Sequence, residues 1–338
     1  MLNPRENFLE TVKKGGKPDR LVKQYEGLVL FNLDPVGKYV RGDRFRGMPA
    51  TKDRWGTTIL WPEDQAGAMP HVTDTDKVIT DITDWRNQVE VPDILAHCSN
   101  PEVWEPALEA AAKIDRENNL LMGYMPTGVF EQLHFLMGFE DTLVNFLIEP
   151  EAMHELCQVI GEFRFNYAKL IVDNLKPDVM LSHDDWGSKT NLFMRPETWR
   201  EFIKPQYEKT YQYIHDQGVK IIHHSDSFLE PIIEDMVDLK IDVWQGVLPQ
   251  NDIPAILKQL DGRMTLMGGL DAGIVDREDS TEEEIRREVR KACEEYGSCG
   301  HFIPSITYGG PGTIYPEHDV IINDEIDKYN REVYGISE

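Results

Sequence analysis

The sequence lacks several features that would narrow its function at once. Its 338 residues include 4 cysteines, Cys98, Cys157, Cys293 and Cys299, and no two of them form a CxxC pair. That spacing argues against a disulfide scaffold and leaves reduced, buried thiols as the default, which fits a cytoplasmic protein. No apolar run approaches membrane-spanning length. The opening Asn3-Pro4-Arg5-Glu6-Asn7-Phe8-Leu9-Glu10 reads as a capped, charged helix without an apolar signal core, so a soluble protein with no membrane role is expected. Positive charge is scarce, with 35 Lys and Arg against 60 Asp and Glu and a net charge of −25. Nothing basic is clustered enough to track phosphates, which excludes nucleic acid as an expected partner. Neither GxGxxG nor GxxxxGK(S/T) occurs, so both common phosphate-cradling loops are missing.

What is present is enough apolar residue, 41%, to bury a large core. No repeat and no Ser/Gly linker divides the chain, so residues 1–338 are expected to form a single domain. Residues 1–95 are irregular, mixing short apolar stretches such as Leu28-Val29-Leu30-Phe31 with turn-rich segments. From about 96 onward the rhythm is strand then helix, with strands expected near 120–124, 178–182, 219–223, 241–247, 263–267 and 301–305. Helical text between them is broken at Gly138 and at Glu149-Pro150, and a capping box opens a helix near Thr281. Strands with few alternating polar residues, separated by helices, predict a parallel sheet buried on both faces. Without a phosphate loop, an α/β (β/α)8 barrel is favoured over an open sheet, with the N-terminal part covering its mouth.

In such a barrel the site lies at the C-terminal ends of the strands, and the polar residues collect there. One apolar run closes in His224-Ser225-Asp226, another in Ser182-His183-Asp184-Asp185-Trp186-Gly187. Alternation on a strand puts His224 with Asp226 and His183 with Asp185, while His223 points away. An imidazole beside a carboxylate can hold a divalent metal or move protons. Tyr124, Glu131, Gln245, Asp271 and Tyr308 fall at or just after other strand tips.

Several of these segments carry a resemblance. His183-Asp184-Asp185-Trp186-Gly187, Met194-Arg195-Pro196-Glu197-Thr198-Trp199, Phe202-Ile203-Lys204-Pro205, His224-x-Asp226, Met267-Gly268-Gly269-Leu270-Asp271 and Pro316-Glu317 are similar in order and spacing to the uroporphyrinogen decarboxylase superfamily. The resemblance runs from about residue 120 to the end and implies a (β/α)8 barrel with one deep polar cleft. True decarboxylases grip the substrate's carboxylates with an arginine-rich loop. The stretch matched to it here, Lys23-Gln24-Tyr25-Glu26-Gly27, has a Glu and no Arg, which speaks against a polycarboxylate substrate.

The other branch of the superfamily is the corrinoid-dependent methyltransferases. Their thiol-methylating members read His-x-Cys where this chain reads His224-Ser225-Asp226, with a second Cys after the last strand. That second Cys has no counterpart in Pro304-Ser305-Ile306-Thr307-Tyr308. Oxygen in place of sulfur makes a zinc site a harder Lewis acid. The resemblance therefore implies an O-demethylase-type enzyme. It would take a methyl group from a methoxylated aromatic compound and pass it to the Co(I) of cobalamin on a separate corrinoid protein. Zinc is expected at His224 and Asp226, with a third ligand from His183, Asp184, Asp185 or Glu131. His183, Asp185 and Tyr308 are the candidate catalytic residues; Glu131, Trp186, Trp244 and Asp271 are the candidates for holding substrate. Methanol or a methylamine as donor, uroporphyrinogen decarboxylation, or a barrel without catalysis that serves only for docking are the alternatives.

Overall fold

The computed structural model describes residues 1–65 and 67–336. Seven strands form one parallel sheet: β1 (Leu28–Phe31), β2 (Leu120–Met125), β3 (Val179–His183), β4 (Lys220–His224), β5 (Val243–Val247), β6 (Thr265–Leu270) and β7 (Phe302–Ile306). They pair in unbroken chain order, as strand–helix–strand connections dictate. The last six are the strands expected from the sequence, shifted by one to three residues. β1 is different, because it lies in the part expected to be irregular. Four residues are too few to show a period, and only the ladder to β2, Leu28 opposite Leu120, reveals the strand.

The sheet is curled and barrel-like, but among the described residues it has seven strands where eight were expected, and no ladder joins β7 to β1. A side chain bridges that seam. Gln24, just before β1, accepts a hydrogen bond through Oε1 from the Ile306 amide at 3.0 Å. The stretch from Lys23 to Gly27 precedes the first strand, and its Glu26 pairs with Arg20 at 2.8 Å.

Alternation along the strands sorts the apolar residues into two cores. Leu28, Leu120, Met122, Val179, Leu181, Ile222, Val243, Met267 and Ile303 point inward and pack with Phe8 and Val12 of helix α1 (Pro4–Val12). The opposite parity, including Leu121, Met180, Ile221, Trp244 and Leu266, packs beneath the outer helices. α1 begins with Asn3 and Glu6 capping one another and with Pro4 in its first turn. It closes the N-terminal end of the sheet: Arg5 pairs with Asp178 just before β3, and His301 just before β7 bonds the Thr11 carbonyl at 2.8 Å. The chain's start thus seals the end opposite the site rather than its mouth.

After β1 come α2 (Pro35–Arg41) and a small antiparallel sheet of Thr51–Lys52, Thr58–Leu60 and Met69–Pro70. This excursion lies along α3 (Val129–Met137), whose Leu136 carbonyl accepts from the Val78 and Ile79 amides. Gly138, at φ 89°, ends α3. Pro150 opens the long α4 (Pro150–Leu175), as the sequence breaks suggested. α5 (Lys204–Asp216), α6 (Glu282–Glu295) and α7 (Pro316–Tyr334) are the longer of the remaining outer helices, with Thr281 and Glu284 forming the expected capping box on α6. No helix among the described residues is long and apolar enough to cross a membrane.

Candidate active site

Register places three polar side chains in one row. His183 and His224, the last residues of β3 and β4, lie opposite one another, and His224 lies opposite Gln245 in the middle of β5. All three have the inward parity. The two imidazoles stand with centroids 4.3 Å apart and planes inclined by 38°. Each is anchored through Nδ1. His224 Nδ1 meets Gln245 Oε1 at 2.5 Å, and the Gln245 amide nitrogen donates to the Tyr308 carbonyl at 2.8 Å. That second bond sets the amide's orientation, so Oε1 must accept and His224 Nδ1 must carry the proton. His183 Nδ1 lies 2.9 Å from Glu131. Both Nε2 atoms are therefore left for chemistry.

Asp185 completes the group. Its carboxylate is 3.7 Å from His224 Nε2, and ligand atoms of His183, Asp185 and His224 all lie within 4.8 Å of one another. Asp226, expected to pair with His224, is not one of the three. β4 ends at His224, so alternation stops there. Asp226 instead gives its backbone N–H to Asp185 Oδ1 at 3.0 Å.

The expected roles of the other residues change with their contacts. Glu131 binds no open space: it accepts from the Gly128 amide, capping α3, and orients His183. Asp184 faces outward, fully buried, accepting from the Phe130 and Glu131 amides, the Trp186 indole and the Tyr207 hydroxyl. It clamps the start of α3 to the end of β3, which fixes Glu131 against His183. Gly128 makes this approach possible, because a Cβ there would stand 1.9 Å from the Asp184 carboxyl carbon. Trp186 and Trp244 were expected to stack on an aromatic substrate. Both are 0% exposed: Trp186 stacks on His223 at 4.0 Å, and Trp244 donates to the Ser225 carbonyl. Neither offers a free face, because outward parity puts Trp244 under the helices and the turn after β3 carries Trp186 there too.

Asp271 caps the short helix Ala272–Val275 and pairs with Lys189 at 3.3 Å on the rim. Tyr308 gives its carbonyl to Gln245, and burial, then the nearby Asp276 carboxylate, raises the pKa of its hydroxyl. Gln245, fully buried, had been noted at a strand tip but assigned no role. Its signal was an amide at inward parity within the otherwise apolar Val-Trp-Gln-Gly-Val. Gly309 carried no signal at all: a Cβ there would lie 2.7 Å from His183 Nε2 and 3.0 Å from His224 Cδ2, so the loop after β7 rests directly on the imidazoles.

Charge follows from these contacts. Burial disfavours a charged His183, but the Glu131 carboxylate outweighs it and holds the imidazole well above its usual pKa. Burial also resists ionisation of Glu131, yet the His183 contact draws it down to about 2. Burial, then the neighbouring His183 charge, lowers His224 to about 3. Burial and the Asp226 charge push Asp185 well up, and burial lifts Asp226 to about 6. The cleft thus pairs one cationic and one neutral imidazole with two carboxylates too close together to ionise freely.

The donor set suits a divalent metal. Two imidazoles with anchored Nδ1–H groups and one carboxylate, each ring oriented by a hydrogen-bonding partner, have the donor chemistry of a three-ligand zinc site.

Comparison with known proteins agrees with this architecture. The solved structure of a methyltransferase from Methanosarcina mazei superposes with a TM-score of 0.65 at 17% identity, covering 97% of this chain and 99% of that one. At that identity the likeness speaks for the fold. No curated protein sequence matches the chain. The sequence pattern of Uroporphyrinogen decarboxylase (URO-D) matches residues 56–325, which includes six of the seven strands whole, β2 to β7, together with the triad. The chain therefore belongs to the uroporphyrinogen decarboxylase family.

Proposed function

We propose that the protein is a methyltransferase of this family that demethylates an aryl methyl ether and hands the methyl group to the Co(I) of a separate corrinoid protein. The observation that carries this reading is the His183–Asp185–His224 triad, with both Nε2 atoms directed away from their anchors and no thiolate in reach. Zinc held by these three residues would supply Lewis acidity to an ether oxygen, where phenolate character develops as the methyl group leaves. The rest is done by the chain itself. Gln245 and Glu131 hold the rings in the tautomers that present Nε2 to the cleft. Asp226, lifted by burial to about 6 and lying beside Asp185, can keep one proton for the departing oxygen. The Gly309 loop screens the imidazoles from water. The structural likeness to a methyltransferase supports methyl transfer, and a donor set of two nitrogens and one oxygen without sulfur supports this reading over thiol methylation.

The test is metal analysis of the purified protein followed by incubation of a methoxybenzene-type ether with Co(I) cobalamin. About one zinc per chain and methylcobalamin formation dependent on His224 are expected. Conversion of uroporphyrinogen to coproporphyrinogen, or full activity in His224→Ala, would overturn the assignment.

A further inference from the structure

The connection from β7 to α7 is a strap fixed at both ends with glycines between them. It leaves β7 at Ile306 and enters α7 at Pro316. At its near end the Tyr308 carbonyl accepts from the Gln245 amide at 2.8 Å and from the Tyr25 hydroxyl at 3.3 Å. Gly309 follows, resting on the His183 and His224 rings, and an added Cβ at Gly310 would stand 4.0 Å from the Leu30 side chain of β1. The strap therefore lies across the mouth, over β1, β3 and β4. Its far end is held by one carboxylate. Asp276, just beyond the short helix that follows β6, accepts from the Ile314 amide at 2.6 Å, the Tyr315 amide at 3.2 Å and His318 Nδ1 at 3.1 Å.

The Asp276 side chain is 0% exposed. A buried carboxylate is costly unless its oxygens are filled, and two of the three donors that fill these belong to the strap's own backbone. A plain service to α7 accounts for only part of this. The helix begins at Tyr315 with no capping side chain of its own, and an acceptor for the Tyr315 amide satisfies one of the free donors of the helix start. Ile314 lies one residue before that cap, outside the helix, and its bond to Asp276 is the shorter of the two. That bond fixes the strap, not the helix.

We propose that Asp276 is a positioning residue for the triad: by pinning the far end of the strap it keeps Gly309 seated on the two imidazoles and water away from them. The zinc arm of its test rests on the methyltransferase reading, while the arm that reads the rings needs no metal. In the metal-free wild type, NMR should show the His224 Nδ1 proton in slow exchange with water, and hydrogen–deuterium exchange should show the Ile314 amide protected. Asp276→Asn keeps the size of the side chain and one acceptor oxygen, but its amide group must face one of the two strap amides donor to donor. Exchange of the ring proton should speed up by about tenfold or more, and zinc should bind about tenfold more weakly in chelator competition, as loss of support for ligand rings does. A lower thermal midpoint with both of those readings unchanged would reduce Asp276 to a cap on α7 and overturn the proposal. Fast exchange of the ring proton or of the Ile314 amide in the wild type would overturn it too, and that measurement stands if the variant does not fold. A wild type that exchanges as expected but binds no zinc would instead sink the earlier methyltransferase reading and leave the role of Asp276 standing.

Discussion

At the scale of single residues, identity matters less than the partner that fixes it. His183 and His224 are alike in type and stand side by side, yet Glu131 keeps the first charged while burial and that neighbouring charge keep the second neutral. Asp185 and Asp226 differ in the same way. Asp185 lies beside both imidazoles, while Asp226 reaches Asp185 through its backbone. On the proposed zinc site, Asp185→Ala should therefore lose the metal, whereas Asp226→Ala should retain it at near wild-type stoichiometry, as read by metal analysis after gel filtration. Loss of zinc in both, or in the Asp226 variant alone, would restore the His224 and Asp226 pairing expected from alternation.

At the scale of elements, two short connections shape the cleft. The turn after β3 sends Asp184 outward to cap α3 and Asp185 inward to the triad. The loop after β7 lays Gly309 on both imidazoles, and Gln245 holds that loop through the Tyr308 carbonyl. An added methyl at Gly309 meets ring atoms on both sides, and the rings cannot retreat without losing Glu131 and Gln245. Gly309→Ala is expected to reduce zinc affinity and turnover together by about tenfold or more, as loss of ligand orientation does, with little change in the thermal midpoint. A variant with normal zinc affinity would show that the loop does not bear on the rings. The seam between β7 and β1 makes a second element-scale case. Gln24 is buried, so Gln24→Ala leaves the Ile306 amide unpaired and should cost about 1–3 kcal/mol in denaturant unfolding.

At the scale of the whole molecule, buried histidines couple the fold to pH. His223 is fully buried outside the sheet, between the Tyr211 hydroxyl at 2.7 Å and the Asp184 carbonyl. Burial, then the neighbouring His224, holds its pKa well below the usual value. The unfolded chain takes up this proton near the ordinary histidine value of about 6.5, while the folded chain does not. The group's contribution is thus full above that pH and is lost as pH falls toward the folded value. His223→Gln should destabilise the metal-free protein clearly at pH 8 and by less at pH 5, because the wild type alone carries this acid penalty. Urea midpoints at the two pH values measure it, and a gap that is constant or wider at pH 5 would contradict the burial argument.

Much of this was readable in the residues alone. Apolar runs alternating with amphipathic stretches determine a parallel α/β sheet, Gly138 and Pro150 determine where the helices break, and polar residues ending apolar runs locate the site at the strand tips. Such features are local, since a strand's period or a proline's missing N–H acts within a few residues. Tertiary structure alone decided the rest. Which strand lies beside which sets His183, His224 and Gln245 in one row, where β4 stops removes Asp226 from that row, and a turn sends Trp186 and Asp184 outward. β1 exists as a strand only because β2 pairs with it, and Gly309 matters only because two histidines from other strands lie beneath it. These are contacts between segments far apart in the chain. Their geometry depends on register and closure of the sheet, which no local pattern encodes.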